Sequence, residues 1–212
     1  MRKYILILMG LMIFSSCEDD ENASSSQLCN DEYFYYSGGG KIYFKPSLYE
    51  VWIELEQKGL SREEARSILE KHPFIDTNKM GRGSDNDRFQ VNINGVNDCT
   101  DLKNYLIVLN NDSEIYSATP VFYSSDDDPM SYLILLSEVL TKNNDETIAE
   151  SAFIDYAESL NLELIESKHA TQQFKVKEVE TGFEALEIAN EIYETGKVDY
   201  SHPNFIANIV LH

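Results

Sequence analysis

The sequence predicts an α+β fold made of two tandem units, each an antiparallel sheet with two helices on one face. Three observations predict it. Short stretches alternate between apolar and polar residues with period two, as half-buried strands do. Between them lie stretches with apolar residues three and four apart, as in amphipathic helices. The two kinds follow each other in the same order in both halves of the chain.

In the first half Val51-Trp52-Ile53-Glu54-Leu55 alternates as a strand. Gly59-Leu60 breaks it, and Ser61 with Glu64 three positions on forms a capping box. The helix that follows has Ala65, Ile68 and Leu69 as its apolar stripe. The stretch from Ile75 to Asn86 is polar and contains glycine, so it predicts only a weak strand. Phe89-Gln90-Val91-Asn92-Ile93 alternates again. Thr100 or Asp101 is expected to cap a second helix carrying Leu102, Tyr105, Leu106 and Leu109. Ile115 to Ala118 leads to Pro120, where a central strand is expected to end because proline has no N–H for the ladder.

The second half repeats this order. Leu133 to Leu140 reads as a strand, and Asn144 or Asp145 is expected to start a helix through Ile148, Ala152, Phe153, Tyr156, Ala157 and Leu160. Leu162 to Glu166 and Gln173 to Val176 predict a hairpin. Thr181 is expected to cap a helix along Ala185, Leu186, Ile188, Ala189, Ile192 and Tyr193, with Gly196 as its C-cap glycine. Val198-Asp199-Tyr200 is the last strand. The order βαββαβ is the split, ferredoxin-like arrangement, in which helices cover one face of an antiparallel sheet. The fold class expected is therefore two tandem ferredoxin-like units, at residues 33–124 and 125–212.

Sliding the chain by 83 positions, without a gap, superposes the halves: Pro120 falls on Pro203, Phe122 on Phe205, Ile115 on Val198 and Leu109 on Ile192. In the same register Val91 and Ile93 fall on Phe174 and Val176, and Val51 and Ile53 on Ile134 and Leu136. A period this long suits a small domain, not a solenoid repeat.

The start of the chain is an address. Arg2 and Lys3 precede an apolar run from Tyr4 to Phe14, then Ser15, Ser16 and Cys17. That is the pattern of a secretory signal, residues 1–16, and the run is too short to span a bilayer. Phe14-Ser15-Ser16-Cys17 resembles a lipobox, which implies lipidation of Cys17 and a bacterial lipoprotein. Residues 17–32 are expected to form the lipidated, acidic, flexible tether. The acidic run Glu18 to Glu21 resembles the surface-export signal of Bacteroidota lipoproteins, whereas in enterobacteria it would suggest inner-membrane retention. The expected location is thus the cell envelope, at the outer membrane and surface-exposed on the first reading, with the leaflet left open.

Charge excludes several partners. The chain carries 17 basic and 37 acidic side chains, and the signal removes two of the basic ones and no acidic one. Such a surface repels nucleic acid and anionic lipid headgroups. Membrane contact is therefore expected through the lipid anchor alone. With Cys17 lipidated, Cys29 and Cys99 remain as a pair outside the cytoplasm; the choice lies between a disulfide and two buried thiols.

No cofactor or metal is expected. His72, His169, His202 and His212 have no metal-ligand spacing with another His or Cys. Asp85-Asn86-Asp87 and Asp126-Asp127-Asp128 lack the glycine and terminal glutamate of an EF-hand loop. Gly38-Gly39-Gly40 lacks the flanks of a phosphate cradle. The aromatics Tyr33 to Tyr36 beside that turn read as a strand packing on its own domain.

The segment Ala185 to Phe205, with Tyr193-Glu194-Thr195-Gly196 and Pro203-Asn204-Phe205, resembles the end of the N-terminal prodomain of bacterial subtilisin-like serine proteases, of the fervidolysin type. The likeness is looser over residues 33–210, including Tyr35 to Gly39 and Lys41-Ile42. The sequence shows no Gly-Thr-Ser nucleophile turn and no His-Gly-Thr segment. The resemblance implies a propeptide fold without its protease, not an enzyme, binding and inhibiting or chaperoning a subtilisin-like serine protease. It also implies a groove-filling tail of Asn204, Phe205, Ile206, Ala207, Asn208, Ile209, Val210, Leu211 and His212, with the last two nearest the specificity pocket and the catalytic serine. The alternative is a cell-surface interaction lipoprotein that kept this fold without protease binding.

Overall fold

A computed structural model describes residues 28–81, 83, 86–125, 128–168 and 170–207. The elements are β1 (Tyr33–Ser37), β2 (Gly40–Leu55), α1 (Arg62–Leu69), β3 (Ile75–Gly81), β4 (Arg88–Ile93), α2 (Cys99–Asn110) and β5 (Ile115–Tyr123). They continue as β6 (Tyr132–Asn143), α3 (Glu150–Ser159), β7 (Leu162–Lys168), β8 (Thr171–Val176), α4 (Glu184–Glu194) and β9 (Val198–Ala207). The class is α+β.

The two expected sheets are one. Nine antiparallel strands run β3-β4-β2-β5-β6-β8-β7, with β1 added on β2 and β9 on β6. The joint is made where the end of β5 pairs with the start of β6: Val121 with Ile134, Phe122 with Leu133, Tyr123 with Tyr132. It exists because β5 does not stop at Pro120. The N–H of Ala118 points away from β2 to Asn110 Oδ1. Strand period two aims the Pro120 nitrogen the same way, so the proline costs β2 no ladder bond.

The halves also share one interior. Leu69 of α1, Leu106 of α2, Phe153 of α3 and Ile192 of α4 pack in a single apolar cluster with Val51, Val91, Val139 and Phe174 of the sheet. Trp52, Val121, Tyr123, Tyr132 and Ile134 form a smaller cluster, with Leu28. In the second half three sheet positions that are Ile53, Leu55 and Phe89 in the first become Thr141, Asn143 and Gln172. Gln172 accepts from Thr141 Oγ1 (3.2 Å) and donates to Asn143 Oδ1 (3.0 Å), so burying them leaves these polar groups satisfied.

The β1–β2 hairpin crosses from the first half to the second. Tyr36 stacks on Tyr193 of α4 at 4.3 Å and donates to Glu194 Oε1 at 2.7 Å. Asn190 Nδ2 donates to the Phe34 carbonyl, and Tyr33 stacks on Phe183 at 4.8 Å.

Register corrects the gapless repeat. Val51 faces Pro120 across β2 and β5, and Val139 faces Pro203 across β6 and β9. Val51 therefore corresponds to Val139, an offset of 88, not to Ile134. From β4 onward the offset is 83, since Val91 and Phe174 face those same two valines. Most of the difference lies in the β3–β4 connection, residues 82–87, against residues 169–170 between β7 and β8.

Several boundaries move for local reasons. Asp98, not Thr100 or Asp101, caps α2, because its Oδ1 takes the N–H groups of both Thr100 and Asp101. Helix α3 starts at Glu150 and not at Asn144 or Asp145. The N–H of Asn144 goes to Lys197 O, and the Asn144 carbonyl closes a turn onto Thr147 and Ile148. Helix α4 begins after Phe183; Thr181 folds the turn before it, its hydroxyl taking the Phe183 N–H. The tether does not reach residue 32: Leu28 bridges to Ser47, and Cys29 is buried with its N–H on Pro46 O.

Candidate functional site

With the helices packed on one face, the other face of the sheet is left for contact. The corrected offset places the same pair there twice. Glu50 corresponds to Glu138, and Gln90 to Gln173. Glu50 stands opposite Asn92 and Glu138 opposite Lys175, so each glutamate is diagonal to its glutamine.

Each pair is tied and each glutamate takes a second donor. Gln90 Nε2 donates to Glu50 Oε1 at 2.9 Å, and the Tyr123 hydroxyl donates to Glu50 Oε2. Gln173 Nε2 and Asn204 Nδ2 both donate to Glu138 Oε2 at 2.7 Å. Burial and the Glu50 carboxylate push the Tyr123 phenol well above its ordinary range, so it stays a donor. A carboxylate has about four acceptor sites, and these contacts use only part of them. The result is two glutamate side chains held in place, half-buried, with acceptor sites left over.

The surroundings differ between the two. Glu50 lines a cavity of about 400 Å³ with Tyr49, Lys79, Met130 and Tyr132, at the joint between the halves. Beside it Glu54 holds Arg88 at 3.2 Å and Lys58 at 2.6 Å, and Asp87 holds Lys58 at 3.0 Å. Near Glu138, Lys142 pairs with Asp199 at 2.6 Å, and the Lys175 ammonium lies 3.7 Å from the centre of the Tyr116 ring. His202 lies between the rings of Tyr35 and Tyr200, and burial lowers its pKa from the usual imidazole value.

His72 pairs with Asp112 at 3.0 Å. The two residues follow the ends of α1 and α2, and the pair ties those ends together. Among the described residues no group of three or more His, Cys, Asp or Glu side chains is placed to hold a metal ion. Among them, too, no helix is long and apolar enough to cross a membrane.

The residues singled out from sequence fall in three places. Cys17 lies outside the described residues. Cys29 and Cys99 come together beside one cavity. Of the expected tail, Asn204–Ala207 are the end of β9: Leu135 faces Phe205, Ile134 faces Ile206 and Leu133 faces Ala207. Phe205 packs on the core, so these four residues are sheet and not free tail. Asn208 to His212 lie outside the described residues. The Glu–Gln pairs escaped the sequence reading because the 83-residue offset sets Glu50 against Leu133; at 88 it falls on Glu138.

Compared with known proteins, no family model, curated protein or solved structure matches this chain.

Proposed function

We propose that this is a lipid-anchored module of two tandem ferredoxin-like units that binds a subtilisin-like protease through the helix-free face of its sheet, inhibiting or chaperoning it. It acts by binding rather than by catalysis. The observation that carries the reading is the duplicated Glu–Gln pair on that face, in strands ordered β3-β4-β2-β5 and β7-β8-β6-β9. The resemblance of Ala185 to Phe205 to a protease prodomain names the partner class. The strongly acidic charge keeps nucleic acid and anionic lipid away from the same face.

Groove filling falls to the residues beyond Ala207, because those before it are held in β9. The test is incubation of the Cys17→Ser chain with a panel of secreted subtilisin-like proteases, with binding and residual peptidase activity measured. Binding of at least one protease, weakened about tenfold or more by Glu50→Ala with Glu138→Ala, supports the reading. Absence of both binding and inhibition across the panel refutes it. Removing residues 208–212 separates the modes: loss of inhibition with binding kept assigns inhibition to the tail.

The second reading, a surface interaction lipoprotein without protease binding, is favoured by the capture of Asn204–Ala207 in the sheet. Envelope binding that survives both the tail deletion and the absence of any protease would select it. The anchor is tested separately: Cys17→Ser should abolish palmitate labelling and release the protein from the membrane fraction.

A further inference from the structure

We infer that Cys29 and Cys99 form an intramolecular disulfide that staples the leading segment of the fold to the first turn of α2. This holds whatever the sheet face binds.

The two cysteines are about 70 residues apart in sequence, and two features of the fold bring them together. The Leu28–Ser47 bridge and the Cys29 N–H to Pro46 O bond (2.8 Å) lay the leading segment along β2. Asp98 caps α2 so that Cys99 is its first residue. Both cysteines, free thiols in the structure, then line one cavity of about 390 Å³. Cys29 belongs to the core and Cys99 packs against that core.

Burial and the neighbouring Cys99 push the Cys29 thiol far up, so it is a poor first nucleophile. Oxidation therefore starts at Cys99, the more exposed of the two. Its thiolate attacks one sulfur of a disulfide donor, either a thioredoxin-like oxidase or a low-molecular-weight disulfide. A Cys99–donor bond forms and the donor's other sulfur leaves as a thiolate. Cys29, giving its proton to water, then attacks the Cys99 sulfur and expels the second donor thiolate. Two electrons and two protons pass to the donor, which is recovered as two thiols. Secretion delivers the chain to a compartment where such donors act.

For a chain hung from Cys17, as proposed above, the bond has a mechanical consequence. A pull passed along the chain loads Leu28 and Cys29, the first described residues. With the staple, the load passes to α2 instead of peeling the leading segment from β2.

The test uses the full chain secreted through its own signal. Alkylation without reductant, digestion and mass spectrometry should recover the Cys29 and Cys99 peptides as one species, two hydrogens lighter than their sum and split by dithiothreitol. Reductant should lower the melting temperature of the wild type by roughly 10 °C and leave Cys99→Ser unmoved. Cys99→Ser is the informative variant because its site is only half-buried, and its fold is checked by far-UV circular dichroism before melting. Recovery of both cysteines alkylated without reduction, after exposure to glutathione disulfide, overturns the inference. So does a cross-link from either cysteine to Cys17 or to a second chain.

Discussion

Gly182 is one of the places where the second half of the chain touches the backbone of the first, and Gly182→Ala tests that contact. The residue sits between β8 and α4 at φ +81°. A Cβ there would lie 2.4 Å from the Ala118 carbonyl oxygen and 3.2 Å from Thr119 Cα, both backbone atoms of β5. The neighbourhood is tied on both sides, since Asn110 Nδ2 donates to Ala118 O at 3.0 Å and to Glu180 O at 3.2 Å. Neither segment can give way cheaply. The left-handed backbone costs an alanine about 1–2 kcal/mol. Forcing the loop off β5 adds about 1–3 kcal/mol, as overpacking does. The total, about 2–5 kcal/mol, corresponds in a chain of this size to a fall of roughly 5–15 °C in melting temperature.

Gly196→Ala is the control. Its φ is +69° but nothing lies within 4 Å of the added carbon, so only the backbone cost of about 1–2 kcal/mol applies. The assay is urea unfolding followed by far-UV circular dichroism and by fluorescence of Trp52, the chain's single tryptophan, which is buried on the helix-free face. Gly182→Ala should unfold at clearly lower urea than Gly196→Ala. If the two variants are equally stable, the halves are not pressed together here and the shared-interior argument fails.

Three further outcomes are expected. Ser61→Ala removes a capping box in which Ser61 Oγ takes the Glu64 N–H and Glu64 Oε2 takes the Ser61 N–H; the urea midpoint should fall by about 1 kcal/mol equivalent, with an unchanged slope. Glu187 is exposed on α4, but desolvation by its neighbours, and Glu184 next, raise its carboxyl above the usual value, so its ionisation weakly favours the unfolded chain. Glu187→Gln should therefore raise the melting temperature at pH 7, with the gain disappearing below about pH 4, where both states are protonated. His202 has the opposite sign. Its folded pKa is depressed by burial, so as pH falls through about 6.5 the unfolded chain binds a proton that the folded one resists, and stability is lost. His202→Gln should flatten that part of the stability–pH curve, and a curve identical to wild type would remove His202 as the titrating group.

Local chemistry was legible wherever it acts over a few residues. The capping box at Ser61, the Gly196 stop (φ +69°), the alternation of residues 89–93 and the stripe of α4 all stand where the pattern sets them. Competition between neighbouring donors and acceptors was less legible. Asp98 displaces Thr100 as a cap, and Asn144 spends its carbonyl on a turn instead of a helix, because each choice depends on which partner the folded chain brings near. Gln172 and Asn143 are polar in sequence yet lie in the core, since only the packed sheet lets them satisfy each other.

By itself the sequence determined the α+β class, the order of strands and helices, and the acidic surface, since these follow from periodicity and composition along the chain. Tertiary structure alone decided that β5 runs through Pro120 to join two expected sheets into one, that the repeat carries a shift, and that Glu50 and Glu138 are equivalent. It alone decided that Asn204–Ala207 are strand and not tail, and that Cys29 meets Cys99. Each of these rests on register or on contact between segments far apart in the chain, and a residue's partner across a sheet is set by the packing of the whole, not by its neighbours in sequence.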